Sequence, residues 1–512
     1  MDDTITRVVA DMENDSCCAF ALIHVFQMAQ KASHNGNGTT SPVASNWTPT
    51  VYPTIANPPL PAEGAGNQTF DNRILYSAVA GIPFVITVAL RWNLWLYPVV
   101  ALVTALPILA TTLYYSSKYA PRYNNKVNLP EHPIEEYITI RDPVLKSLYN
   151  GRNKIPMETF FEAYFDDKID LNGDALHILE SRHDWAAFQF TLGQFQFFLT
   201  QWIPETLWHS KKQDEDQVRE HYDRGDDFYE WFLGPRMIYT SGIISDQHKR
   251  ETLEEIQDNK LDLVCQKIQL KKGERHLDIG CGWGTLVAHA AKNFGTDSTG
   301  ITLGVNQTEF GTNRIKEYGV PATQARIKTM DYRDIPRRPR YNKITCLEMA
   351  EHVGIRKFQE FLLQVRDMLE DDGLFFLQIA GLRKTWQYED FIWGLFMAKY
   401  VFPGADASMP LAWVLDQLEY AGFEVHNVDT IGVHYSGTLW RWYLNWMQNK
   451  DKVVAAYGKR WFRIWEIFLA WSTIISRQGS ATCYQIVVHK NANAFDRAGL
   501  ICKRLIPKDW KN

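Results

Sequence analysis

Two stretches without a charged residue limit what this chain can fold into. Ile74–Leu90 runs for 17 residues and Leu94–Tyr115 for 22, and only Arg91-Trp92-Asn93 separates them. At the helical rise they reach roughly 25 and 33 Å, against a hydrocarbon thickness of about 30 Å. So short a linker demands a tight helical hairpin. Pro83, Pro98 and Pro107 would interrupt helices in water but are tolerated in lipid. Trp92, Trp95, Tyr97, Tyr114 and Tyr115 stand near the ends, as interfacial anchors do. The alternative is a hairpin buried in a soluble core. Lys118, Arg122 and Lys126 follow the second run, so the positive-inside rule places the bulk of the chain on the cytosolic side.

The remainder divides by composition. Residues 1–70 read as a disordered N-terminal tether, because 33–68 are rich in Pro, Gly, Asn, Ser and Thr. Asp2, Asp3 and Asp11 precede the short apolar Ala19–Met28, where a cleaved signal would need positive charge. The hairpin occupies 71–117, with helices about 74–90 and 94–115. A helical linker follows over 118–216, in which Asp184–Ile203 is either a helix on the bilayer surface or a core helix. From about 265 apolar runs alternate with amphipathic ones. Strands are expected at Arg275–Gly280, Ser298–Leu303, Gln324–Thr329, Lys343–Leu347, Leu374–Ala380, Phe423–Asp429 and Cys483–His489. That rhythm is an α/β fold, a doubly wound, mostly parallel seven-stranded sheet within a domain over 217–490, with an aromatic insertion at 381–480 and a C-terminal tail at 491–512.

Charge and cysteine content exclude other classes. Lys and Arg total 54 against 59 Asp and Glu, without the basic excess of a nucleic-acid binder. Seven scattered cysteines, without metal-ligand spacing, read as reduced thiols with no metal site.

The first strand runs into His276-Leu277-Asp278-Ile279-Gly280-Cys281-Gly282-Trp283-Gly284. Glycines there let a backbone approach a ligand and turn into a helix N-terminus. An acid ahead of them suits a cationic amino-acid group and repels a pyrophosphate. A dinucleotide site would carry another acid at the end of strand two; here that position reads Ile301-Thr302-Leu303-Gly304, so NAD is disfavoured.

This loop resembles motif I of the class I S-adenosylmethionine (SAM) methyltransferases. More narrowly, 217–490 is similar to the cyclopropane-fatty-acid synthase and mycolic-acid methyltransferase family. The shared blocks include Glu220-His221-Tyr222-Asp223, Leu277–Gly284, Gly300-Ile301-Thr302, Asp331-Tyr332-Arg333-Asp334, Glu351-His352-Val353-Gly354 and Phe402-Pro403-Gly404. The hairpin and the segment Gly234–Gly242 look most like the fungal sphingolipid C9-methyltransferase branch. By position, the resemblance implies that Tyr239 and Thr240 sit against the methionine part of SAM, alongside Gly280 and Gly282. Thr302 and Gln307 would then hold the ribose, Asp331 and Tyr332 would flank the adenine, and Tyr222, Asp278, Gly284 and Asn306 would complete the cofactor site.

The implied reaction is methyl transfer to C9 of the Δ8-unsaturated sphingoid base of ceramide, toward glucosylceramide, at the endoplasmic reticulum membrane. An alkene is a weak nucleophile, so proximity in a dry site does most of the work. Transfer leaves a carbocation, which aromatic faces stabilise and which must lose a proton to a base. Ring-forming members hold a bicarbonate as that base. Glu351 and Tyr435 match its anchors, but Ser241 and Gln378 replace a Cys and a His, which speaks against bicarbonate. Glu351 is then the expected direct base, with Tyr435 its partner, His352 beside it, and Trp442 in the pocket. The alternative product is a cyclopropane on an unsaturated acyl lipid. A scaffold lacking SAM binding is a third reading. Nine of the 18 Trp fall between Trp386 and Trp471. Trp440, Trp442, Trp446, Trp461, Trp465, Phe468 and Trp471 stand at helical spacings with Lys450, Lys452, Lys459 and Arg460 between, a pattern that fits either a core or a lipid portal beside the bilayer.

Overall fold

The computed structural model describes residues 51–56, 72–119, 129–202, 225–384, 387–405 and 407–498. Tyr222 and its block, Trp386, Arg122, Lys126 and the tail from 499 lie outside them, as does the tether apart from 51–56.

All seven expected strands form one sheet: β1 Arg275–Ile279, β2 Asp297–Thr302, β3 Ala325–Thr329, β4 Tyr341–Leu347, β5 Leu369–Leu382, β6 Phe423–Thr430 and β7 Ala481–Lys490. Their order is β6-β7-β5-β4-β1-β2-β3, with β7 antiparallel to both neighbours. The buried stretch Leu374–Ile379 of β5 reads as a near-continuous apolar run, as a strand covered on both faces does, whereas β1 and β4 carry polar residues such as His276, Asp278 and Thr345 within their buried spans. The order reverses between β1 and β4, and ligands bind such sheets at the carboxyl ends of the strands flanking that point.

The two apolar runs form α1 (Asn72–Ala89) and α2 (Tyr97–Tyr119). They pack side by side, with the Tyr97 hydroxyl donating to the Ala80 carbonyl at 3.2 Å and the Tyr97 ring edge-on to Phe84. Leu94–Tyr119 is long and apolar enough to cross a membrane. Of the two spans expected, it alone meets that length among the described residues; Tyr76–Ala89 is a shorter apolar helix, roughly 21 Å long.

The insertion is not continuous, because β6 divides it. Beyond β6 it forms α3 (Gly432–Gln448) and α4 (Lys450–Arg477), the latter kinked at Gly458. Trp442, Trp446, Trp465 and Trp471 are almost wholly buried, packed with Phe228, Phe232 and Phe396. These stripes are core. Lys459 pairs with Asp167 at 2.7 Å and Arg460 with Asp166, so both bind a neighbouring turn.

The segment expected as a linker joins that core. Tyr164 donates to Glu466 (2.6 Å), Tyr443 to Asp174 (2.6 Å), and buried Arg182 pairs with buried Glu389. Asp184–Ile203 breaks into short pieces, with helices at Leu192–Phe197 and Phe198–Trp202. Phe190, Phe197 and Phe198 pack with Leu113 of α2 and with Leu395, while the Phe190 N–H donates to Ser117. Tyr52, within the expected tether, is also buried: its ring lies under Arg441 and its hydroxyl accepts from the Glu251 N–H at 2.6 Å.

Candidate active site

The glycine loop leaves β1 with Gly280 and Gly284 in the left-handed region, at φ 76° and 71°. A Cβ at Gly280 would run into Met349, and one at Gly284 into Ile327, so close packing as well as backbone conformation requires glycine. The N–H groups of Gly280 and Cys281 both donate to the Ile301 carbonyl at 2.9 Å, pinning the loop to β2. A cavity opens above it, lined by Tyr239, Thr240, Asp278, Gly280, Gly282, Thr302, Gln307, Asp331 and Tyr332 among others. Nine of the twelve residues expected around SAM thus share one wall. Gly284 instead caps the helix Thr285–Phe294, and Asn306 is exposed. Tyr222 lies outside the described residues.

Hydrogen bonds fix these side chains. Asp278 accepts from Thr345 at 2.7 Å, and burial pushes its carboxyl up to about 6. The Thr302 hydroxyl donates to Gln307 at 2.5 Å. Asp331 accepts from the Arg333 N–H and guanidinium at 2.8 Å. Two wall residues escaped the sequence reading. Lys260 donates to the Thr240 hydroxyl at 2.7 Å, and burial brings its ammonium down to about 8. Glu348, at the end of β4, is the other.

A second cavity, of about 440 Å³, adjoins the first. Tyr239, Glu348 and His352 line both. Its walls are mostly apolar, including Phe391, Leu395, Phe402, Leu439 and Phe468, with Glu351, Tyr435 and the Arg383–Asp390 ion pair as polar features. Trp202, Phe391, Leu395 and Ala398 bring it to the foot of α2. Among the aromatics lining this cavity, Trp202 and Phe391 belong to the cluster that packs on Leu113 of α2, while Phe468 comes from the aromatic stripe of α4.

Glu348 organises the junction. Its Oε1 accepts from the Ser241 N–H (3.1 Å), Gln378 Nε2 (2.6 Å) and Cys483 Sγ (3.6 Å), and its Oε2 from the Tyr435 hydroxyl (2.7 Å). Tyr435, expected to partner Glu351, pairs with Glu348 instead. Glu351 accepts from the Ala380 N–H at 2.6 Å, and its Oε2 is buried without a partner. Burial, reinforced by the nearby Glu348 charge, raises its carboxyl to about 8. Ser241 and Gln378 stand behind the cavity wall, as does Trp442, whose ring packs on Tyr239 and Tyr435.

The arrangement can hold an elongated polar molecule over the glycine loop and an apolar chain beside it, with a carboxylate where they meet. Comparison with known proteins agrees. Residues 209–486 match the family model described as mycolic acid cyclopropane synthetase. A sphingolipid C9-methyltransferase of Komagataella phaffii is 58% identical over 88% of this chain and 94% of its own length. One from Candida albicans is 55% identical, over 89% and 91%. Among solved structures, the cyclopropane synthase MmaA2 from Mycobacterium tuberculosis shares the fold, with a TM-score of 0.50 and 24% identity over 54% of this chain and 98% of that one.

Proposed function

The chain belongs to the mycolic acid cyclopropane synthetase family, in its sphingolipid C9-methyltransferase branch, and on that premise we propose that it methylates C9 of the Δ8-unsaturated sphingoid base of a ceramide, with SAM as donor. The product is a 9-methyl sphingadienine for glucosylceramide synthesis. The observation that carries this is the meeting of two cavities, one over the glycine loop and one apolar, at Tyr239, Glu348 and His352.

The residues present fit SAM. Asp278, buried beneath the loop, suits an ammonium group, Thr302 and Gln307 suit hydroxyls, and Tyr332 offers a ring face to a base. When bound, SAM supplies a sulfonium methyl, which the alkene π pair takes while the carbon–sulfur pair stays on sulfur. The apolar cavity keeps water from the cation that follows. The rings of Tyr239, Tyr435 and Phe402 are placed to stabilise it. Arg383 and Asp390 supply a charged pair for the amide and hydroxyls of the lipid head. Glu351, Tyr435 and His352 complete the wall around the acceptor carbon.

The hairpin α1–α2 sits in the endoplasmic reticulum membrane with both helices spanning and the catalytic domain cytosolic. Lipid enters at the foot of α2, past Trp202 and Phe391. Incubation with SAM and a Δ8-unsaturated ceramide, followed by mass spectrometry and NMR of the product, tests the reading. A methyl on C9 with the double bond retained supports it. A ring without the double bond would establish instead the cyclopropane-forming reaction that the family model's description names.

A further inference from the structure

We infer that Glu348 takes the proton released in the reaction, its carboxylate filling the anion site where the ring-forming members hold a bicarbonate. The inference rests on the reading of the chain as an alkene methyltransferase and assigns its missing base.

Four groups from four parts of the chain converge on this one side chain, and all four are donors at that contact: Ser241 N–H, Gln378, Tyr435 and Cys483. A buried ring of donors is an anion site, and here the anion is covalently attached. Ser241, Gln378 and Tyr435 are also three of the positions implied as anchors of a free anion. The Glu348 backbone reinforces the point. It is held at φ 54°, where a side chain is disfavoured, and its N–H donates to the Gln378 carbonyl at 2.7 Å. Strain of that kind persists where the surroundings impose it, often at reaction centres. Glu351, by contrast, has one oxygen tied to Ala380 and a carboxyl that burial keeps protonated at neutral pH.

Addition of the methyl to C9 leaves the positive charge on C8. The C9–H bond then breaks, its pair becomes the C8=C9 π bond, and the proton passes to a Glu348 oxygen. A C–H beside a cationic carbon is strongly acidic, so a weak base can remove its proton. Its fixed attachment selects which proton leaves: taking one from the new methyl would close a ring instead.

The test uses the full-length membrane protein, with Glu348→Gln and Glu348→Gly. The glycine variant relieves the backbone strain and opens the anion site. Wild type should methylate the ceramide undiminished in buffer stripped of carbon dioxide and show no binding of isotopically labelled bicarbonate by NMR. Glu348→Gln should bind SAM by calorimetry yet lose turnover by roughly 10²–10⁴-fold, the usual contribution of a positioned base. Glu348→Gly should bind labelled bicarbonate and regain turnover as bicarbonate is added. Bicarbonate binding by wild type, or full turnover in Glu348→Gln, would overturn the assignment of Glu348 and leave the substrate reading standing. Failure of wild type to methylate the ceramide would overturn the substrate reading, and with it the C9 proton.

Discussion

Three positions beyond Glu348, Glu351 is buried and carries the perturbed carboxyl. Glu351 is raised to about 8, chiefly by desolvation and then by the Glu348 charge. A carboxyl raised in the folded state binds its proton more tightly there than in the unfolded chain. Its contribution to stability is complete below the ordinary carboxylate range and is lost as pH rises through the folded value. We expect the melting temperature to fall between about pH 5 and pH 9, with a smaller fall in Glu351→Gln, which cannot ionise. Differential scanning fluorimetry of both proteins across that range checks it, and parallel curves would show that Glu351 is not the group responsible. At the cofactor wall, Gln307→Ala removes the partner of Thr302. The expected loss is about 1.4 kcal/mol, or roughly tenfold in SAM affinity by calorimetry, with little change in melting temperature.

At the scale of elements, α3 and α4 show why a helical aromatic stripe is ambiguous. The same spacing serves a core and an exposed portal, because periodicity reports which residues share a face and not what covers it. Here residues 157–185 and the helix Asp226–Leu233 cover it, and Phe228, Phe232 and Trp446 all touch Trp465. Trp465→Ala should therefore cost about 3–5 kcal/mol, as large-to-small core changes do. Chemical denaturation would measure it. A variant of unchanged stability and weakened lipid KM would instead favour the portal. The β strands were more legible: buried parallel strands are short apolar runs punctuated by glycine and polar turns, and all seven stood at their expected places, with ends within a few residues.

For the whole molecule, the decisive relation is between the apolar helices and the second cavity. Leu102 and Val103 on α2, and Trp95 in the turn before it, are among the most exposed large apolar residues, while Leu113, lower on α2, is buried against the cavity's outer wall. An arginine at Leu102 would place a charge mid-span, at about 2.5–3.5 kcal/mol on the insertion scale. We expect Leu102→Arg to shift protein from pellet to supernatant in alkaline carbonate extraction, with methylation of detergent-dispersed ceramide preserved. Retention in the pellet would argue that α2 is not the anchor.

What the chain's order of residues determined by itself was local: the apolar runs, the glycine loop with Asp278, the strand rhythm, and through them the family and its cofactor. Each is a contiguous pattern, so neighbours in sequence carry the physical signal. What only the tertiary structure brought together was the ring of donors around Glu348 and the apolar cavity beside α2. Glu348 stood in plain view directly after β4, but its donors lie 107, 30, 87 and 135 residues away. A carboxylate becomes an anion site through the groups that surround it, and those are assembled by folding.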